Sequence, residues 1–465
     1  MSARTWLSGC WLGGIALALT ALVAPTGAGA TTAATGWTIS PTSSTLAGGL
    51  YGAACTSSDV CWAVGYQHSG DNDQTLIEEW DGTSWSVVTS PDVTAEGGGT
   101  LDNDLSGVAC ASATECWAVG QYDDSSGYQH TLILGWNGTS WSLAAAPEVT
   151  PESGTVSNVL NGVACASTSE CWAVGSYTGS DTLAHVLVEE WGGSAPWTVS
   201  VPASLPTDSD QGVLEGVACA SAGVCWATGY YRSSSGPSLD EDQTLVEGWD
   251  GVSWSKGASP DDSSLDNILY GVTCTSATEC WATGMYTLGT EPNVYGQTLI
   301  EEWSGTSWSI VSSPDSGTGS NDLLGVGCAS ATECWAAGSY AASGDTDQTL
   351  IEEWGGTSWS IVTSPNSGTS DNDLEGAACA PAAECWAVGD YSPPDPPLIE
   401  EYPAAAPTPT PTPTPSPASV PVPPSGSAGG AMGPVGWLLA MGGLLLVGTA
   451  VAWRRGRRLG VPRDL

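Results

Sequence analysis

From Leu50 to Tyr402 the chain alternates short apolar runs with stretches of glycine, serine, threonine, asparagine and aspartate. One length reads Leu324-Gly325-Val326-Gly327-Cys328, a turn from Ala329 to Glu333, then Cys334-Trp335-Ala336-Ala337-Gly338. After a variable stretch come Gln348-Thr349-Leu350-Ile351-Glu352-Glu353-Trp354 and Gly355-Gly356-Thr357-Ser358-Trp359-Ser360-Ile361-Val362. The runs are brief, rich in β-branched and aromatic residues and bounded by turn formers, so each predicts a strand. Four consecutive strands, A to D, form one antiparallel sheet.

The same unit recurs along the body of the chain, marked by Cys-x5-Cys-Trp. The cysteines are Cys55 and Cys61, Cys110 and Cys116, Cys165 and Cys171, Cys219 and Cys225, Cys274 and Cys280, Cys328 and Cys334, and Cys379 and Cys385. Successive second cysteines are 55, 55, 54, 55, 54 and 51 residues apart. A sheet with two apolar faces cannot fold alone, and stacking such sheets around an axis buries both. The fold class is therefore all-β, a seven-bladed β-propeller of four-stranded antiparallel blades. The seventh unit ends at Leu398-Ile399-Glu400-Glu401-Tyr402 without a strand D, and Gly36-Trp37-Thr38-Ile39-Ser40-Pro41 ahead of the first unit matches the missing piece. One chain terminus is expected to complete the blade begun by the other, closing the ring over 37–402.

The C–D hairpin Trp80-Asp81-Gly82-Thr83-Ser84-Trp85 resembles a degenerate Asp-box (BNR-type) turn, and the whole repeat resembles secreted bacterial propellers of the Asp-box and Ycf48-like kind. That resemblance implies a propeller with the box between the third and fourth strands. The hairpin departs from the usual Ser-x-Asp-x-Gly-x-Thr-Trp form, so it carries the architecture and not an activity.

The chain ends set the expected compartment. Residues 1–30 hold one charge (Arg4), an apolar stretch and the triplet Ala28-Gly29-Ala30, as in a secretory signal peptide. Leu7-Ser8-Gly9-Cys10 imitates a lipoprotein signal, but the apolar stretch follows Cys10 instead of preceding it. Residues 435–453 are an uncharged run long enough for one C-terminal transmembrane helix, and the basic tail 454–465 beyond it marks the cytoplasmic side. Residues 403–434, with alternating Thr-Pro, read as a polyproline stalk. After export the paired cysteines meet an oxidising environment and are expected to form one disulfide within each blade. Zinc thiolate sites generally use shorter spacings and four ligands.

Charge narrows the function. With 50 acidic and 8 basic side chains the formal charge is −42, which repels phosphate and disfavours nucleic acid. Between Arg4 and the tail only Arg232 and Lys256 are basic, too few for the arginine cluster with which a sialidase holds its substrate carboxylate. Trp62, Trp117, Trp172, Trp226, Trp281, Trp335 and Trp386 recur at one place in every unit and read as wedges between sheets, in preference to a carbohydrate platform. The Glu-Glu pairs Glu78-Glu79, Glu189-Glu190, Glu301-Glu302, Glu352-Glu353 and Glu400-Glu401 invite a glycosidase reading. Neighbours on a strand diverge, however, and a catalytic pair would not be repeated. One Glu of each pair is expected to accept hydrogen bonds while the other reaches solvent.

Antiparallel order puts the uniform A–B and C–D turns on one rim and the variable B–C and D–A connections on the other. The variable rim carries Asp71, Asp73, Asp102, Asp104, Asp240, Asp242, Asp345, Asp347, Asp371 and Asp373. These acids are solvated loop residues, ligands of a calcium ion, or contacts for a cationic partner. His68, His130 and His185 fall near B–C connections of successive blades, where approach to one another would make a metal site, although coincidence is the simpler reading. Asn137-Gly138-Thr139 fits a glycosylation acceptor but lies in the box turn. The expected function is non-catalytic binding of an extracellular glycan or protein. A hydrolase using rim acids such as Asp123, Asp240 or Asp347, and a ligand-free envelope spacer, are the alternatives.

Overall fold

The computed structural model describes residues 36–403, apart from 45–46, 150–156, 195, 201, 203–204, 206–208, 235–240, 263–264, 291–292, 343–345, 381–383 and 393–395, and beyond them only Thr449–Ala450. It forms seven four-stranded antiparallel blades. Blade 1 holds strands A to D at Gly48–Ser57, Val60–Ser69, Asn72–Trp80 and Trp85–Val87. Blades 2 to 6 repeat this order over 103–143, 157–199, 209–256, 267–311 and 321–362. Blade 7 takes A to C from Asn372–Ala380, Glu384–Tyr391 and Pro397–Tyr402, and its outer strand is Thr38–Ile39. Thr38 pairs with Glu401 and Ile39 with Glu400, and Ser40 N–H donates to the Ile399 carbonyl at 2.8 Å. The predicted exchange of termini therefore closes the ring.

The seven seams share one aromatic device. The tryptophan after the second cysteine packs on two aromatic residues of the next blade, with centroids 4.4–5.3 Å apart. Trp62 meets Trp136 and Trp141 in this way. Trp335 meets Tyr402 and the incoming Trp37, and Trp386 closes the circle on Trp80 and Trp85. Edge-on and tilted contacts of this kind add to the large apolar area that each indole removes from water. The wedge reading of these tryptophans is what the structure shows.

All seven disulfides form within their blades across the A–B turn, with Cα–Cα distances of 3.9–4.0 Å. The rims also fall as expected. Trp80 Nε1 donates to Ser58 O at 3.0 Å, which ties the C–D hairpin to the A–B turn on one side of the disc. In that hairpin Asp81 Oδ1 accepts from Thr83 N, Thr83 Oγ1 and Ser84 N, and Asn137 Oδ1 repeats the pattern in blade 2, so Asn137 holds the turn.

The leader 1–30, the stalk beyond Pro403 and the tail 454–465 lie outside the described residues. Of the apolar segment 435–453 only Thr449–Ala450 is described, as a two-residue strand beside Gly376 and Ala377. No helix among the described residues is long and apolar enough to cross a membrane.

Candidate functional site: the axial mouth and variable rim

Every strand A carries a β-bulge at the same place. Pairing with strand B skips one residue between Leu50 and Gly52, and likewise in Leu105–Gly107, Leu160–Gly162, Leu214–Gly216, Leu269–Gly271, Leu323–Gly325 and Leu374–Gly376. The bulge presses the preceding carbonyl onto strand B, where a Cβ on Gly65 would sit 1.9 Å from Gly49 O. The equivalent glycines of the other blades meet the same obstacle at 1.9–2.1 Å, which explains why glycine recurs there. The skipped residues are Tyr51, Ser106, Asn161, Glu215, Tyr270, Leu324 and Glu375. Their flanks repeat while they do not, and they stand on the seven innermost strands. Inner strands abut there: a Cβ on Gly376 would lie 2.7 Å from Tyr51 O, and Asn161 Nδ2 donates to Leu214 O at 3.0 Å.

This ring is uneven. On blades 1 to 3 Tyr51, Asp104, Ser106, Gln121 and Asn161 line a polar cavity of about 170 Å³, and Tyr51 stacks on Tyr66 at 5.4 Å. On blades 4 to 6 Tyr230, Ile268, Tyr270, Met285 and Leu324 form an apolar cluster. Burial raises Glu215 to about 8, so its carboxyl holds a proton at neutral pH. Tyr51 and Tyr270 are both pushed up, first by burial and then by neighbouring acidic groups, Glu375 among them for each. Asp322, one residue before its blade's Leu323, accepts from Ser339 N and Oγ at 3.0 Å, and burial followed by Asp373 and Asp347 raises it to about 6.

The acids singled out on the rim divide by task. Asp102 Oδ1 accepts from Asp73 N (2.9 Å) and Asn72 Nδ2, and Asp371 Oδ1 accepts from Asp347 N (3.1 Å). Asp266 does the same for Asp242 N at 3.0 Å, and Ser157 and Ser320 take this place for Gln129 N and Gly296 N. One motif thus clasps strand C of a blade to the loop of the next at five seams. The asparagine that follows, Asn103 or Asn372, is buried and binds its own D–A loop. Asp104 and Asp373 take the position next to Leu105 and Leu374, toward the axis. Members of one Asp-Asn-Asp run therefore separate. Asp71 lies exposed in its turn, while Asp240 and Asp345 lie outside the described residues. Asp123 and Asp347 stand in blades 2 and 6, and no three His, Cys, Asp or Glu side chains among the described residues are grouped to hold a metal ion.

The three histidines stay in their own blades. His68 pairs with Asp73, His130 with Glu148 (2.7 Å) and Asp124, and His185 with Asp181 (3.0 Å). Each ring rests on a tyrosine: Tyr66, Tyr122 or Tyr177. Both basic residues of the propeller are engaged. Arg232 forms a two-pronged ion pair with Asp242 (3.0 and 3.2 Å), and Lys256 Nζ sits 4.3 Å from the Tyr231 ring centre.

In the Glu-Glu pairs the first carboxylate is fully buried and, at several seams, bound by a hydroxyl of the preceding blade. Ser259 donates to Glu301, Ser313 to Glu352 and Ser364 to Glu400, at 2.8–3.0 Å, and Thr42 donates to Glu78. This is the structural role expected for them. The axial ring was not among the sequence candidates. Its signal is the variable middle residue of an otherwise repeated Leu-x-Gly.

No protein-family model matches the chain, and no curated relative matches it. Among solved structures it is similar to YCF48 bound to D1 peptide, at 12% identity and TM-score 0.44 over 79% of this chain and 96% of that one. It is also similar to a polysaccharide lyase of the PL25 ulvan lyase family bound to a -[GlcA(1-4)Rha3S]- ligand, at 10% identity and TM-score 0.46 over 77% and 94%. The SapL1 lectin in complex with alpha methyl fucoside aligns at 12% identity and TM-score 0.36 over 75% and 93%. The seven-bladed propeller itself follows from the sheet order.

Proposed function

We propose that the propeller is a non-catalytic binding module, held outside the cell by the apolar segment 435–453 and the stalk before it, whose ligand is an extracellular glycan or protein. The observation that carries this is where the repeat breaks. Seams, disulfides and one rim are uniform, while the axial positions and the B–C and D–A loops differ from blade to blade, as a recognition surface on a rigid scaffold does. Seven intrablade disulfides suit an oxidising, extracellular-type environment. With Arg232 committed to Asp242, no described arginine remains to clamp an anionic substrate.

A hydrolase is the second reading, favoured by one observation. Glu215 stands at the bulge of an innermost strand, where the repeat varies, and burial pushes its carboxyl up to about 8, the direction a general acid requires. A glycan and cell-wall binding array, run with and without calcium, separates these readings. Saturable binding without product supports the module. Release of product from a bound glycan establishes the enzyme, and loss of that activity in Glu215→Gln would place the acid on the axis. Loss of binding on chelation would assign calcium to the rim acids. No binding to any glycan or envelope protein would leave only the spacer.

A further inference from the structure

The repeat breaks a second time at the seam between blades 5 and 6. The B–C hairpin of blade 5, Glu279–Thr290 and Asn293–Trp303, has strands of 12 and 11 residues and outreaches its counterparts in the other blades. Its far end carries the cross-strand pair Leu288 and Tyr295, 45% and 44% exposed. Beside Tyr295 an open cleft of about 640 Å³ reaches Tyr340 of blade 6 and is floored by Gly317, Thr318, Gly319 and Ser320 of the D–A loop. Ser320 Oγ accepts Gly296 N–H at 3.2 Å, which fixes the hydroxyl while leaving its own proton to donate. Gly319 cannot be enlarged, because a Cβ would fall 2.4 Å from Ala341 O.

Among the described residues none that lines this cleft is charged, although the chain carries a net −42. An anion would be repelled by the surrounding molecule, and the described lining offers a cation no carboxylate. What the cleft offers is an exposed aromatic ring, a second half-buried one, and hydroxyl and backbone groups from Thr318 and Ser320. Those are the complements of a neutral pyranose, which has an apolar C–H face and equatorial hydroxyls. We infer that the blade 5–6 cleft binds a sugar unit of a neutral glycan, stacked on Tyr295 and hydrogen-bonded by the 317–320 loop. The inference rests on the binding-module reading and names its ligand class.

The test is calorimetric titration of the purified full chain with cellohexaose, mannohexaose and xylohexaose, beside hexagalacturonate and a chitosan hexamer as charged controls. At least one neutral hexasaccharide should bind. Tyr295→Ala should weaken it about tenfold or more, the scale of one lost aromatic contact. Tyr295→Phe should retain affinity within about threefold, and Thr318→Arg, which fills an exposed position of the cleft, should abolish binding. Val252→Ala, at an exposed position of the C–D turn of blade 4 on the uniform rim, should change nothing. Neutral-glycan binding that survives both Tyr295→Ala and Thr318→Arg would overturn the cleft assignment and leave the module reading intact. Binding of the charged hexamers alone would overturn the ligand class. Failure of every hexasaccharide would overturn the inference, while the protein arm of the array would still decide the broader reading.

Discussion

The seam between blades 2 and 3 has lost half of a device that other seams keep. Glu189 is fully buried, and neither of its carboxylate oxygens has a hydrogen-bond partner among the described residues. The place taken at other seams by Ser259, Ser313 or Ser364 is held here by Ala146. The converse occurs at the seam before, where Leu134 replaces the glutamate and Ser90 turns instead to Thr75. Burial, then Glu148, raises Glu189 to about 9, whereas hydroxyl-bound Glu301, Glu352 and Glu400 stand at about 8. An unsatisfied buried carboxyl costs ~1–3 kcal/mol, and a hydroxyl placed beside it relieves part of that cost. Ala146→Ser should therefore stabilise the protein by ~1–2 kcal/mol at pH 7–8, read as a higher unfolding midpoint in urea and in heat. Glu189→Leu, which copies the choice made at Leu134, should also stabilise. Its advantage over wild type should grow as pH rises from 5 to 8, because the folded Glu189 retains a proton that the unfolded chain gives up above pH ~4.5. An Ala146→Ser protein that folds normally yet unfolds no later than wild type would refute the reasoning, as would a Glu189→Leu gain independent of pH.

Other consequences are open to measurement. Trp37→Ala should cost ~3–5 kcal/mol, because it empties the Trp335–Tyr402 seam, and should make blade 7 the first site of limited proteolysis. Replacing Cys55 and Cys61 by serine should cost ~2 kcal/mol by thermal melting, the loop entropy of a closure this short. Stability of the whole ring should fall between pH 5 and pH 8. Glu301, Glu352 and Glu400 are each raised to about 8, so their contribution is complete below pH ~4.5 and is lost as pH climbs through 8. A midpoint that rises over that interval would contradict the assignment. Gly338→Ala should prevent blade 6 from pairing, seen as loss of soluble folded protein, since its Cβ would lie 2.1 Å from Asp322 O.

The architecture was legible because its determinants recur. Seven copies of Cys-x5-Cys-Trp reveal blade number, disulfides and seam tryptophans, and the orphan Trp37 segment reveals closure. The fate of the Glu-Glu pairs followed from strand alternation and repetition. The axial ring escaped because a bulge inserts one residue without changing the hydrophobic pattern around it, so Glu215 or Tyr270 reads as an ordinary strand residue. Aligning the units on Leu-x-Gly and seeking the column that varies would have exposed it. Nor could the rim acids be sorted, since Asp102 and Asp104 are neighbours in sequence. Whether a carboxylate clasps the preceding blade or turns to the axis is decided by a partner some thirty residues away.

The outer strand of blade 7 also fixes an order of events. Residues 37–40 are synthesised before any blade exists, yet their sheet partner among the described residues, Pro397–Tyr402, follows every other strand of the ring. That ribbon must wait, unpaired, through the assembly of six complete sheets, and the final sheet stays frayed until it docks. Two nascent chains held side by side at high density would each lend the other this ribbon, so crowding during biogenesis favours exchanged dimers at this joint.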